Sequence, residues 1–163
     1  MSAPVVIFFV GNPSRGDDAL GPELCGRLAA WLENAGLSDE VELIEDFQLQ
    51  IEHALDLTGR RLALFVDAGV QTPGPFVFCA IEASTATSHT THALSPEAVL
   101  QVAQQMGEGE MLPPAFVLCV RGESFELGTP LTSSASAAAD AALEFLKTLC
   151  QQAMLSAWQA AQR

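Results

Sequence analysis

Short apolar runs alternate with helix-like segments along this chain, and that alternation constrains the fold more than any other feature. Residues 4–10 and 61–67 are nearly continuous apolar runs, rich in β-branched and aromatic side chains. Such runs are typical of strands covered on both faces. Residues 41–44, Phe76–Ile81 and 115–121 predict three more strands. Five strands separated mostly by helices predict a three-layer αβα fold around a twisted, mostly parallel sheet.

Helix signals lie between these runs. From residue 17 to about residue 34, apolar residues recur every three or four positions, and Gly36 follows as the expected C-terminal stop. A second helix is expected to begin with Ser95 as N-cap and Pro96 in the first turn, and to reach about Met106. Helices are therefore expected on both faces of the sheet.

The remaining segments give two further predictions. A small helix is expected over residues 50–57, and an Ala-rich helix from Thr132 to about Ala161, with Met154 in its apolar stripe. The link at residues 72–75 reads Thr-Pro-Gly-Pro and is short. Because a short link can join only antiparallel neighbours, one strand pair is expected to be antiparallel.

Composition and charge exclude several classes of protein. The 163 residues fit one domain, residues 1–163. A net charge of −13 argues against nucleic acid and anionic membranes as partners, because both would repel the chain. No apolar run approaches the roughly 20 residues that span a bilayer. The N-terminus lacks the basic region of a secretory signal, so we expect the cytoplasm. The four cysteines form no CxxC motif and are expected to be buried free thiols.

Acidic residues and histidines follow three of the predicted strands. Asp17 and Asp18 follow the first strand, Asp67 ends the third, and His89 and His92 come after the fourth. Ligands of such sheets bind beyond the carboxyl ends of the strands, so these side chains are expected on one rim. Two carboxylates and a histidine match the ligand set that borderline divalent metals accept.

Each residue also has an ordinary structural interpretation. Asp17 or Asp18 could cap the first helix, Asp67 could be a hydrogen-bonded structural carboxylate, and a loop histidine is usually solvated. The loop at residues 11–16 does not fit a phosphate, because it lacks GxGxxG and the GKS/T ending and precedes two carboxylates. The sequence also shows no Ser or Cys nucleophile with a His-based triad and no HExxH motif, which disfavours conventional serine, cysteine and zinc peptidases.

The motifs that contain these residues are more specific in combination than any single residue is. GNPSRGDDALG after the first strand, FVDAG about 50 residues on and HALSPEAVL about 25 residues further resemble the hydrogenase maturation proteases, peptidase family M52. The resemblance covers the order and spacing of elements along essentially the whole chain, and it implies an α/β fold with a twisted five-stranded sheet. It also implies an endopeptidase that removes the C-terminal extension of a nickel–iron hydrogenase large-subunit precursor.

The resemblance implies roles for individual residues. The family's two acidic nickel ligands correspond to Asp18 and Asp67, and its histidine to His92; the same three residues are the expected catalytic site. His89 stays an alternative, although the HxLSP context favours His92, and Asp17 is then expected to cap the helix. The nickel is implied to arrive bound to the precursor, with no organic cofactor. The rim carboxylates are expected to be ionised at pH 7, since a nearby cation or helix N-terminus favours the charged form.

Several alternatives remain at the level of sequence. Arg121-Gly122-Glu123 stand where some family members carry Gln-Pro, which leaves the cognate hydrogenase open. Arg121 could receive a carboxylate of the substrate or form a surface ion pair. Other possible functions are a metal-dependent hydrolase that holds its own metal and a non-catalytic, metal-sensing assembly factor. A nucleotide-binding module is a weaker third possibility, because the acidic loop after the first strand would repel the phosphates.

Overall fold

A computed structural model of the chain describes residues 2–84, 94–107 and 111–163. Its strands are β1 Val5–Val10, β2 Val41–Asp46, β3 Leu62–Val70, β4 Phe76–Ile81 and β5 Ala115–Gly122. They form a five-stranded sheet in the order β2-β1-β3-β5-β4. All neighbours are parallel except β4 and β5, which run antiparallel. The predicted mostly parallel sheet with one antiparallel strand is confirmed.

Helices cover both faces of this sheet, as predicted. They are α1 Leu20–Ala35, α2 Pro96–Met106, α3 Ser133–Gln151 and α4 Leu155–Ala160, with 3-10 helices at Gly16–Ala19 and Ile51–Leu57. Successive residues of a strand point to opposite faces. In β1, Ile7 and Phe9 therefore pack in the core with α1 and α3, whereas Val6 and Phe8 pack in the core with α2 and the second 3-10 helix. Within the described ranges, no helix has the length and apolar character needed to cross a membrane.

The helix ends match the sequence signals closely. Gly36 ends α1 in the left-handed conformation, with φ of 73°, where glycine avoids a steric penalty. The Ser95 hydroxyl accepts a hydrogen bond from the backbone N–H of Ala98 at 3.1 Å, so the predicted N-cap of α2 is confirmed. The predicted single helix from residue 17 begins instead with the separate 3-10 helix Gly16–Ala19.

The antiparallel strand does not pair with the strand that precedes it. Residues 71–75 link β3 to β4, but β5 lies between these two strands and pairs with both. The expectation that the link joins neighbouring strands is therefore wrong. Crossing one intervening strand requires about 10 Å, two strand spacings. A few extended residues reach that far, at up to about 3.5 Å each.

The predicted Ala-rich helix is broken near its C-terminus. α3 ends at Gln151, and α4 begins after Met154, so the expectation of one helix to about residue 161 is wrong. Met154 is 54% exposed and does not belong to an apolar stripe.

Trp158 gives the physical reason for the break. Its side chain is fully buried and packs edge-on against Phe78 and Phe116. Its indole Nε1–H donates to the carbonyl oxygen of Leu149 at 3.0 Å, so the one polar atom of the ring is satisfied. Redirecting the chain after α3 lets this large apolar ring enter the core while keeping its hydrogen bond.

The same redirection brings the end of the chain to the outer edge of β4. Phe78 and Arg163 exchange backbone hydrogen bonds of 3.1 and 2.9 Å. The backbone N–H of Ala80 donates to Oε1 of Gln162 at 2.9 Å. Part of the backbone of this edge strand is therefore already paired.

The cysteines agree with the sequence prediction only in part. Cys25, Cys79, Cys119 and Cys150 are all free, as expected. Cys150 alone among the four is buried, whereas the other three are half-buried. Burial raises the pKa of Cys150 to about 12, so its thiol stays protonated near neutral pH.

Replacing Trp158 with Ala is expected to lower the free energy of unfolding by about 3–5 kcal/mol, because it leaves a large cavity in the core. Urea unfolding followed by circular dichroism would measure the change. Trp31→Ala is the matched control, since Trp31 is only half-buried on α1, and its loss should be clearly smaller. Equal losses for the two variants would contradict the packing of α4 described above.

Candidate functional site

Two of the three predicted site residues lie at the carboxyl edge of the parallel strands. Asp67 lies near the end of β3, and Asp18 lies in the 3-10 helix Gly16–Ala19, which follows β1 and packs against β3. β1 and β3 are parallel neighbours, so the segments after them meet at one edge. The charge of Asp18 contributes to the raised pKa of Asp67, which places the two carboxylates within electrostatic range. Their roles as metal ligands or catalytic groups stay a prediction.

Backbone contacts fix the position of Asp18. The backbone N–H of Asn12 donates to Asp18 Oδ2 at 2.7 Å. A Cβ at Gly11 would collide with the carbonyl oxygen of Asp18, and a Cβ at Gly21 would collide with that of Val10. Only glycine permits both approaches. These two glycines of the GNPSRGDDALG motif therefore allow the acidic segment to pack closely against β1.

Asp67 is held at the end of an otherwise apolar strand. Its Oδ1 accepts a hydrogen bond from the backbone N–H of Ala68 at 2.7 Å. The residue is exposed at the surface, although neighbouring protein atoms still displace part of the water around its carboxylate. This desolvation raises the pKa of Asp67 to about 7, the Ala68 hydrogen bond opposes the rise, and the charge of Asp18 adds to it. The expectation that the rim carboxylates are ionised at pH 7 depends on a nearby cation or helix N-terminus and stays a prediction.

The predicted histidine ligand cannot be placed. His92 and its alternative His89 both lie outside the described residues. Within the described ranges, no group of three or more His, Cys, Asp or Glu side chains could hold a metal ion. Of the three predicted metal ligands, the structure therefore describes two, Asp18 and Asp67.

His53 lies within the described part of the chain, but both of its ring nitrogens are engaged. Nδ1 accepts a hydrogen bond from the backbone N–H of Gln50 at 2.8 Å, and Nε2 lies 3.3 Å from Asp46 Oδ2. The ring is nearly buried and packs edge-on against Phe8. It is therefore not free to complete the site. Gln50 and His53 form a capping box at the start of the second 3-10 helix, a pairing that the usual Ser/Thr-x-x-Glu/Gln pattern does not predict.

Asp17 has a role that its local sequence does not reveal. Its carboxylate is fully buried and accepts four hydrogen bonds from the segment after β5. The donors are the backbone N–H groups of Glu123, Ser124 and Thr132, at 2.7, 3.1 and 2.8 Å, and the Thr132 hydroxyl at 2.8 Å. The expectation that Asp17 caps the first helix is wrong, because neither Gly16–Ala19 nor α1 has a side-chain cap.

These bonds keep the buried carboxylate charged. Burial alone would raise the pKa of Asp17, but the hydrogen bonds from Thr132, Glu123 and Ser124 outweigh it and lower the pKa below its usual value. The backbone N–H of Asp17 also donates to the carbonyl oxygen of Ser124 at 2.8 Å. Asp17 thus joins the 3-10 helix that carries Asp18 to the segment after β5.

Arg121 forms a surface ion pair, which is one of the two roles that the sequence left open for it. Its Nε donates to Glu123 Oε1 at 2.9 Å, and the two side chains are 44% and 43% exposed. An exposed pair of this kind contributes little to stability.

A pocket of about 220 Å³ opens beside Asp67 on the α2 side of the sheet. Its lining includes Val10, Phe65 and Val117 from three neighbouring strands. Leu49 and Leu94 form part of its outer wall. The pocket therefore joins an apolar interior to the carboxylate at the sheet edge.

Comparison with solved structures identifies the fold. No family model matches the sequence, and no curated protein matches it. The hydrogenase maturating endopeptidase HybD from E. coli is similar over 93% of this chain and 94% of that chain, with a TM-score of 0.68 and 22% identity. The NiFe hydrogenase maturation protease HycI from Thermococcus kodakarensis is similar over 91% and 93%, with a TM-score of 0.68 and 19% identity. The chain has the fold of these proteases.

Asp17→Asn is expected to destabilise the protein by at least about 2 kcal/mol, because the amide adds donors where four donors already converge. Asp18→Asn is the matched control, since its amide oxygen can still accept from Asn12, and it should cost clearly less. Because folding lowers the pKa of Asp17, its contribution is present above pH 3.8 and is lost as pH falls through the folded value. Urea unfolding between pH 2 and 7 would measure both effects. If the difference in free energy of unfolding between wild type and Asp17→Asn is the same across this pH range, the role assigned to the charged Asp17 is wrong.

Proposed function

We propose that this protein is a hydrogenase maturation endopeptidase that removes the C-terminal extension of a nickel–iron hydrogenase large-subunit precursor after nickel insertion. One observation carries the proposal: in the fold of these proteases, Asp18 and Asp67 lie at the carboxyl edge of the sheet, within electrostatic range of each other. Both residues belong to the motifs on which the sequence resemblance rests. Fold and motif therefore support the same function independently.

Nickel enters this reaction as part of the substrate. Asp18 and Asp67 supply carboxylate oxygens and His92 an imidazole nitrogen, a mixed set that suits a divalent metal of this kind. A cation beside two close carboxylates favours their ionised form, which offsets the raised pKa of Asp67. The HxLSP context of the sequence favours His92 over His89 as the third ligand.

Two uses of the metal fit the site. Nickel bound to the precursor can polarise the scissile carbonyl, or a rim carboxylate can activate the attacking water. In both routes Asp18 and Asp67 hold the nickel close to the bond that is cut. The protease thereby acts on a precursor that has already received its metal.

The edge of the sheet also suits a protein substrate. Three large apolar side chains are exposed there: Phe47 after β2 at 65%, Val70 at the end of β3 at 66%, and Leu127 after β5 at 68%. Exposed apolar groups beside a polar site favour contact with a protein partner. The acidic net charge disfavours nucleic acid. The proposal keeps the cytoplasmic location expected from the sequence.

The direct test is cleavage of nickel-loaded and nickel-free precursor by the purified protein, with intact mass as the readout. Wild type is expected to release one C-terminal fragment from the nickel-loaded precursor alone. Asp67→Ala and His92→Ala are expected to slow this by at least about 100-fold, because each removes a proposed metal ligand. Asp140→Ala, which changes an exposed carboxylate on α3, should cleave like wild type.

Each alternative function gives a different result in the same experiment. If wild type does not cleave a confirmed cognate precursor loaded with nickel, the endopeptidase proposal is wrong and the assembly-factor function is favoured. Equal cleavage of nickel-free precursor would contradict recognition of nickel in the substrate. Circular dichroism of each variant separates loss of the site from loss of the fold.

A further inference from the structure

We propose that Arg121 is a specificity residue that binds a carboxylate of the substrate's C-terminal extension close to the scissile bond. This inference rests on the proposed endopeptidase function and adds the chemistry by which the extension is recognised. It is compatible with the ion pair between Arg121 and Glu123, because that pair occupies only one edge of the guanidinium group. The carboxylate can come from an acidic side chain of the extension or from its C-terminus, and the two sources give different experimental results.

Arg121 lies at the same edge of the sheet as Asp67 and on the same face. In the register between β3 and β5, Asp67 is opposite Cys119 and Gly69 is opposite Arg121. Asp67 and Cys119 line one pocket, so their side chains share a face, and residues two apart on a strand point the same way. Strand spacings place the Cα atoms of Asp67 and Arg121 about 8 Å apart. An extended peptide that is cut beside Asp67 therefore brings a residue two or three positions from the cut within reach of Arg121.

The guanidinium group of Arg121 is held in place from one side. Its Nε donates to Glu123 Oε1 at 2.9 Å, and the Ser134 hydroxyl donates to the same oxygen at 3.3 Å. The backbone N–H of Glu123 donates to the buried carboxylate of Asp17 at 2.7 Å. Glu123 is therefore anchored through both its backbone and its side chain, and it restrains the direction of Arg121. A donor that is oriented before binding loses less entropy when its ligand arrives.

The opposite end of the guanidinium group is open. An arginine side chain has five N–H donors, and in the part of the chain that the structure describes only the Nε donor of Arg121 has an acceptor. The Nη1 and Nη2 groups form a planar fork that matches the two oxygens of a carboxylate. The side chain is nearly half exposed, so this fork is accessible from solvent. A carboxylate is therefore the ligand that suits it best.

The charge of the surrounding edge makes this position selective. Asp18 and Asp67 lie at the edge, and the net charge of the chain is −13. An acidic group of the substrate is therefore repelled at most positions along the edge. Of the seven basic residues, only Arg15 and Arg121 lie at the carboxyl ends of the parallel strands. Arg15 is exposed, and among the described residues no side-chain contact orients it. Arg121 is the oriented cation of the pair.

The first experiment varies the precursor and keeps the wild-type protease, so that folding of a variant is not at issue. Nickel-loaded precursors carry a single Glu at successive positions after the cut, in an extension with no other acidic side chain, and a matched series carries Gln. At one position, Glu is expected to raise kcat/KM over Gln by about 10-fold, because a hydrogen bond to a charged group is stronger than one to an amide. Elsewhere Glu should be neutral or unfavourable.

The second experiment changes the protease. Arg121→Gln is expected to remove the preference for Glu and to leave kcat/KM for the Gln precursor within about twofold of wild type. Arg121→Lys keeps the charge but not the fork, so an intermediate preference is expected. Arg27→Gln is the matched control, since Arg27 forms a similar ion pair with Asp140 but lies on α1. It should keep the wild-type preference. Thermal unfolding by circular dichroism checks that each variant folds.

A third precursor separates the two sources of the carboxylate. Its extension has no acidic side chain and ends in an added flexible tail of about ten glycine and serine residues, which moves the C-terminus away from the cut. If Arg121 binds the C-terminal carboxylate, the tail lowers kcat/KM for wild type but not for Arg121→Gln. If it binds an acidic side chain, the tail has no effect and the preference for Glu remains.

The outcomes also separate this proposal from the proposed function. If wild type cleaves the precursors but shows neither the preference for Glu nor the effect of the tail, the role of Arg121 is wrong and the endopeptidase function stands. The role is also wrong if a folded Arg121→Gln keeps the wild-type behaviour, or if only Arg15→Gln removes it. If wild type cleaves no nickel-loaded precursor, the proposed function is wrong, and the role of Arg121 is wrong with it.

Discussion

A buried, charged carboxylate joins the two segments that frame the edge of the sheet. Asp17 comes from the turn after β1, and its four donors come from the segment after β5. In a 3-10 helix, which has about three residues per turn, adjacent side chains point in clearly different directions. Asp17 therefore points into the protein while Asp18 stays half-buried at the surface. The buried hydrogen bonds of Asp17 therefore hold the 3-10 helix in place and, with it, the neighbouring Asp18 at the surface.

Features that depend on local pattern could be predicted from the sequence. The runs that form β1 and β3 are apolar because helices cover both faces, and Ser95 with Pro96 marks the start of α2 through local hydrogen bonding alone. The placement of Asp18 and Asp67 at the same edge of the sheet also follows from local signals, since parallel strands have their carboxyl ends at one edge. For these features no knowledge of distant contacts is needed.

The features that could not be predicted depend on distant parts of the chain. The donors to Asp17 lie more than a hundred positions along the sequence, and an acidic residue before a helix is equally compatible with an ordinary cap. The break between α3 and α4 lies in a segment of good helix formers, and it depends on the space that Phe78 and Phe116 leave for Trp158. The insertion of β5 between β3 and β4 likewise depends on pairing that no local pattern encodes.

The pairing of Phe78 with Arg163 restricts how an extended peptide can approach the protein. Many proteins bind peptides by adding them as a further strand at a free sheet edge, where backbone groups provide affinity for almost any sequence. On the β4 side, the chain's own last residues already occupy part of that edge. A peptide that instead lies across the ends of the strands meets mainly side chains. Selection there depends on the size and charge of individual residues, which would suit the proposed endopeptidase function.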